Sequence, residues 1–143
     1  MKSLISLVRL LVLALSLLGT STASTLAQEV SIPDPGLNAA IREALQKPNG
    51  PLMQQDLLNL TNLDASSRDV SNAEGLEAAR NLRVLFLTSN QLTNFSLPSA
   101  LTNLTMLELS LNPLTNCFLP SGLANLGTLS IEFGQFFARS WLP

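Results

Sequence analysis

Asp64 and Glu108 are the carboxylates of this 143-residue chain whose spacing invites a chemical reading, because they fill the same place in a pattern that recurs every 22 residues. Two carboxylates flanking a glycosidic bond can act as acid and base, or as acid and nucleophile. If each repeat contributes one strand, Phe86 lies between them, and at about 4.8 Å per strand the pair is about 10 Å apart. That is too wide for the close pair of a retaining glycosidase and slightly beyond the usual inverting separation. A solvated acidic face explains them better. The rest of the catalytic inventory is thin. There is no histidine and no tyrosine, so the commonest general base and metal ligand is missing. Cys117 has no histidine to form a thiol dyad, and Lys47, in a turn bounded by proline and glycine, is a poor base for any of the serines. The reading is a non-enzyme, with no catalytic residue, no metal and no cofactor.

The elements that would position these residues are set by the period. Leu60, Leu82, Leu104 and Leu126 stand 22 apart, and residues 82–103 and 104–125 agree at 12 of 22 positions without a gap. Leu82, Leu85, Leu87, Asn90 and Leu92 return as Leu104, Leu107, Leu109, Asn112 and Leu114, the L-x-x-L-x-L-x-x-N-x-L pattern of a leucine-rich repeat. Leu85-Phe86-Leu87 and Leu107-Glu108-Leu109 alternate as strands must. Each is too short to stand alone, so stacking in parallel has to supply the ladder and one shared core. Asn90 and Asn112 form a structural asparagine ladder in this reading, each inward amide donating to and accepting from turns that have left the strand. The copy from Leu60 carries Arg68 where the asparagine belongs, and the copy from Leu126 dissolves after Ile131. Pro98 and Pro120 place the return path on the convex side, as extended segments or single turns with Leu97, Leu101, Leu119 and Leu123 pointing inward. The fold class is an α/β solenoid, a right-handed superhelix of about four 22-residue repeats with a short parallel sheet on its concave face and a small helical N-terminal cap.

Upstream, Lys2 and Arg9 precede an apolar run from Leu10 to Leu18 and then small polar residues. Residues 1–27 read as a secretory signal peptide, cleaved before Gln28, with a site after Ala23 as the alternative. The run is too short for a membrane span, and no membrane span is expected in the mature chain. The localisation is secreted, cell-surface or periplasmic. From residue 28 onward six basic residues face ten carboxylates, a formal charge of about −4. Only Arg80 and Arg83 lie close together, so nucleic acid is not an expected partner. Cys117 aligns with Phe95 and is read as a buried, inert thiol. Asn59-Leu60-Thr61, Asn94-Phe95-Ser96 and Asn103-Leu104-Thr105 match the glycosylation triplet, but each falls within the repeat's own vocabulary.

Residues 28–59 form the cap. Leu37, Ala40, Ile41, Ala44 and Leu45 make an apolar stripe at helical spacing, with Arg42, Glu43 and Gln46 facing away. Asp34 caps its start, and Lys47-Pro48-Asn49-Gly50-Pro51 stops it. A second turn of helix runs from Met53 to Leu58, with Leu57 and Leu58 inward. The repeats occupy 60–135 (60–81, 82–103, 104–125 and a partial 126–135). Residues 136–143 are an aromatic C-terminal tail, either an improvised cap over the last leucines or the stub of a longer reading frame.

Asp34-Pro35-Gly36-Leu37, Ala40-Ile41-Arg42-Glu43-Ala44-Leu45, Lys47-Pro48-Asn49-Gly50 and Asp56-Leu57, followed by these repeats, resemble bacterial extracellular leucine-rich repeat proteins with an internalin-like cap. The resemblance implies a secreted or surface-displayed protein that binds another protein on its concave sheet and is generally not an enzyme. Such a cap usually has a helix-capping Thr where Met53 stands, which implies a ragged start to the second helix. The concave strip of Asp64, Val84, Phe86, Thr88, Met106, Glu108 and Ser110 is the candidate partner-binding site, Phe86 and Met106 forming an apolar anchor within a polar rim. The partner is a protein or a glycan. The alternatives are an N-terminal fragment of a larger adhesin, or of an enzyme whose catalytic domain lies elsewhere.

Overall fold

A computed structural model describes residues 28–132; the signal peptide and the aromatic tail of the sequence reading lie outside the described residues. The chain enters as an extended segment whose Val30 amide donates to the Leu52 carbonyl at 2.7 Å, and the Gln54 amide returns to the Gln28 carbonyl at 2.9 Å. Helix α1 (Pro35–Ala44) follows, with proline at its first position, where the missing N–H costs nothing. It buries Leu37, Ala40 and Ile41. Leu45 is half-buried, whereas Ala44 is exposed, a correction to the predicted stripe. Arg42 also does more than face solvent. Its Nε donates to Asn38 Oδ1 at 2.7 Å and its Nη1 to the carbonyls of Lys47 and Gly50, which ties down the loop that ends the helix. Helix α2 (Gln54–Leu58) starts cleanly. The Met53 amide donates to Asp56 Oδ2 at 2.7 Å, so the carboxylate half of a capping box forms although Met53 has no capping hydroxyl. Lys47 pairs with the same oxygen at 2.5 Å.

The repeats then run through β1 (Asn62–Asp64), a single 3-10 turn (Leu76–Ala78), β2 (Val84–Phe86), β3 (Asn94–Ser96), β4 (Met106–Glu108), β5 (Asn116–Phe118) and β6 (Thr128–Ser130). The strands β1-β2-β4-β6 form one parallel sheet. Leu63 pairs with Leu85, Leu85 with Leu107 and Leu107 with Leu129, so the register advances by the sequence period at each step. The strands sit one residue earlier than the alternation indicated, but the ladder still reaches the expected residues: the Leu87 amide donates to the Glu108 carbonyl and the Leu109 amide to the Ser130 carbonyl.

Between this sheet and the return path lies a leucine core. Leu63, Leu82, Leu85, Leu87, Leu92, Leu101, Leu104, Leu107 and Leu109 are at most 1% exposed. Each such side chain contributes about 1.5–3 kcal/mol on burial, before the entropy cost of ordering it. Leu97 and Leu101 are buried, with Leu119 and Leu123 packed against the core, as the return-path reading requires. At the last described strand Leu129 is 44% exposed, so the fourth copy forms its strand without a fully buried leucine.

The return path holds a second sheet that the sequence reading left as extended segments. β3 pairs with β5 in parallel, Phe95 opposite Cys117. Pro98 and Pro120 come two residues after these strands, where no ladder donor is required. Phe95 is buried, but Cys117 is half-buried and not fully enclosed as its alignment indicated.

Candidate functional site

The short strands expose alternate residues on one face. Asn62, Val84, Met106 and Thr128 share one register row, and Asp64, Phe86, Glu108 and Ser130 share the next. Leu63, Leu85 and Leu107 between these rows are buried, so both rows face the concave side. Thr88 and Ser110 extend the strip past the strand ends, their carbonyls accepting from the Ser67 and Ser89 amides at 3.0 Å each. The structure thus brings Asp64, Val84, Phe86, Thr88, Met106, Glu108 and Ser110 onto one surface. Val84, Phe86, Thr88, Met106, Glu108 and Ser110 are half-buried and Asp64 is exposed.

The polar members have defined partners. Asp64 Oδ1 accepts from the Ser66 amide at 3.0 Å in a local turn. That bond, the Ser66 hydroxyl and the charge of Arg68 hold the Asp64 carboxyl below its ordinary value. The hydroxyls of Ser110 and Ser130 lie 2.7 Å apart across the sheet. Glu108 makes no ion pair among the described residues. Asp64 and Glu108 sit one strand to either side of Phe86, the arrangement that the period indicated. No cluster of metal-ligating side chains occurs among the described residues. At Cys117 burial pushes the thiol's pKa up, which keeps it protonated and poorly nucleophilic.

Beneath the strip, Asn90 and Asn112 rigidify its exit turns. Asn90 Oδ1 accepts from the Arg68 and Val70 amides at 3.0 Å each, and its Nδ2 donates to the Ala65 and Leu87 carbonyls. Asn112 repeats the arrangement one copy later, donating to the Leu87 and Leu109 carbonyls and accepting from the Leu92 amide. Both side chains are at most 4% exposed.

Solved structures that match this fold include two internalins. An internalin from Listeria monocytogenes, InlF, is 32% identical over 68% of this chain and 29% of its own, with a TM-score of 0.59. The functional domain of InlJ from the same organism is 30% identical over 72% of this chain and 24% of its own, with a TM-score of 0.64. The chain is an internalin-like leucine-rich repeat protein. It spans less than a third of the length of either of these relatives. No protein-family model matches it, and no curated protein sequence does. InlJ includes a cysteine ladder; in the internalin-like repeats described here the one cysteine, Cys117, stacks on Phe95, so that row is apolar. Among the described residues no helix is long and apolar enough to cross a membrane.

Two features of these internalin-like repeats escaped the sequence reading. Asn81, Asn103 and Asn125 stand one period apart. Each donates its side-chain amide to a carbonyl one turn earlier, at Leu58 in the cap and at Arg80 and Thr102 in the preceding copies, over 2.8–3.0 Å. This second ladder ties each turn of the solenoid to the one before it. The other is Asp34, whose reach beyond its own helix no local pattern signals.

Proposed function

We propose that this chain is a secreted, non-catalytic leucine-rich repeat protein that binds a protein or glycan partner on its concave face. The observation that carries this reading is the juxtaposition of Val84, Phe86 and Met106 on adjoining strands, half-buried and bordered by Asp64, Thr88, Glu108 and Ser110. An apolar centre within a polar rim supplies both the desolvation that drives association and the hydrogen bonds that orient it. The strip rests on a fully buried leucine layer and two asparagine-braced turns, so the contact residues are held before a partner arrives, which lowers the ordering cost of binding.

The test is a screen of the full chain against arrayed surface proteins and glycans, repeated with a Phe86→Ala, Met106→Ser variant. Loss of a specific interaction with unchanged secondary structure and melting supports the concave reading. Unchanged binding by the variant sinks it. Secretion is tested separately by N-terminal sequencing of material recovered outside the cell, which should begin at Gln28.

The partial span against InlF and InlJ favours a second reading, in which these residues are the N-terminal part of a longer surface protein. Genomic sequence past codon 143 discriminates: further in-frame repeats or an anchor support it, and a stop followed by an intergenic gap sinks it.

A further inference from the structure

We propose that Phe86, bracketed by Asp64 and Glu108 on the two neighbouring strands, is a seat for an arginine or lysine side chain of a protein partner; the proposal rests on the concave-face reading and names the chemistry of its centre. The register places the three side chains in one row on the exposed side of the sheet, Asp64 opposite Phe86 and Phe86 opposite Glu108. With strands about 4.8 Å apart, each carboxylate stands one strand spacing from the ring. A cation above an aromatic face is attracted by the ring's quadrupole when it lies within about 6 Å of the centroid. A guanidinium stacked on Phe86 also has N–H donors projecting from its edges, towards the carboxylates on either side.

Charge complementarity disfavours apolar and anionic occupants. A purely apolar ligand would bury two carboxylates without partners, which is costly. An anionic ligand, whether phosphate or acidic sugar, would be repelled by both. The chain's own cations do not fill the position. Arg68 pairs with Glu43 on the cap side at 2.6 Å, touching Asp64 only through its longer-range field. Glu108 has no ion-pair partner among the described residues. Asp64 accepts from Ser66 but, like Glu108, makes no ion pair among the described residues.

The experiment is an NMR titration of the isotopically labelled full chain with an acetylated alternating Gly–Arg hexapeptide, the same peptide with citrulline for arginine, and a neutral chitooligosaccharide. The arginine peptide should shift amides of residues 62–66, 84–88 and 106–110, and citrulline should weaken binding at least about fivefold because it removes the charge. Phe86→Leu, which keeps an apolar side chain on the strip, should weaken the arginine peptide about threefold, and the Asp64→Asn, Glu108→Gln variant about tenfold at low salt. Equal binding of the citrulline peptide, arginine-induced shifts only outside the strip, or indifference to both variants overturns the proposal. Shifts on the strip with the oligosaccharide and none with the arginine peptide also overturn it, while leaving the concave reading intact.

Discussion

The Asp34 carboxylate reaches from the cap to Ser71 in the first repeat: Oδ2 accepts from the Ser71 amide at 2.8 Å and from its hydroxyl at 2.9 Å, while Oδ1 accepts from the Leu37 amide at 2.9 Å. One side chain therefore caps α1 and closes the turn next to the place where Arg68 has replaced the ladder asparagine. Asp34 is 2% exposed, and the Asn72 amide also points at Oδ2, at 3.3 Å. Removing it by Asp34→Ala deletes an N-cap and leaves amides of the first repeat unpaired. The expected loss is about 2–4 kcal/mol, measured by denaturant titration. A loss below about 1 kcal/mol, the size of a cap alone, would mean that the cap and the first repeat are not joined through this residue.

The same carboxylate sets an acid limit. Burial pushes the pKa of Asp34 up, but hydrogen bonds from the Leu37, Ser71 and Asn72 amides and the Ser71 hydroxyl outweigh it and hold the group below its ordinary value. A carboxyl that is depressed in the folded state contributes its full stabilisation above the unfolded pKa, about 3.9, and loses it as pH falls through the folded value. Asp56, lowered chiefly by Lys47, and Asp64, lowered chiefly by the Ser66 amide, act in the same direction. Stability should be flat from pH 7 down to about 5 and fall below about 4. Asp34→Asn should be less stable at pH 7 and show a shallower acid slope. An unchanged slope would assign the acid sensitivity to other carboxylates.

Gly36 shows how the cap fits the solenoid. A Cβ built there would lie 2.0 Å from the Arg68 carbonyl oxygen, which is backbone and cannot step aside. Gly36→Ala should cost about 1–3 kcal/mol through this overlap. It should leave the helix propensity of α1 intact, so circular dichroism near neutrality should be unchanged while the melting temperature drops. An alanine variant as stable as the parent would refute the tight docking of α1 on the first repeat.

Much of this arrangement was legible in the sequence because the repeat translates directly into register. Leu85 pairs with Leu107 because they are one period apart, and Phe86 faces the concave side because Leu85 must be buried. The candidate strip follows from those two facts. What stayed hidden depends on contacts with no period. The Asp34–Ser71 bond joins a unique cap to a degenerate repeat, and the Met53 amide is capped by Asp56 although a sequence rule looks for a hydroxyl. The β3–β5 sheet was missed for another reason. Asn94-Phe95-Ser96 and Asn116-Cys117-Phe118 have weak strand character, and their pairing comes from stacking of the copies. Ala44 was misplaced because the helix ends before the stripe completes another turn.

Leu111 is the weakest fit between side chain and backbone in the repeats. Ser67, Ser89 and Leu111 occupy the same place in successive copies, each with φ of 56–57° in the left-handed region. Serine tolerates that conformation poorly and leucine worse, because its Cβ crowds the following carbonyl. Leu111 is also 63% exposed, so it gains little from burial in return. Leu111→Asn should raise stability by about 0.5–1 kcal/mol, read as a higher denaturant midpoint with unchanged slope. A neutral or destabilising result would mean that the left-handed backbone at this position does not strain the leucine.

The asparagine ladder predicts an interaction between two residues that do not touch. The Leu87 carbonyl accepts from Asn90 Nδ2 at 2.9 Å and from Asn112 Nδ2 at 2.8 Å. Asn112→Ala should cost about 1–3 kcal/mol, because the Leu92 amide and the Leu109 carbonyl lose the partner that satisfied them. Asn90→Ala should cost a similar amount through Val70, Arg68 and Ala65. With either asparagine present the Leu87 carbonyl keeps one donor, and with both gone this buried acceptor has neither. The double variant should therefore be less stable than the sum of the single losses by about 0.5–1 kcal/mol in a double-mutant cycle. Strict additivity would mean that each asparagine braces only its own turn. Coupling of the expected sign would mean that turn order is transmitted from one repeat to the next, holding Phe86 and Met106 on a surface of fixed curvature before any partner binds.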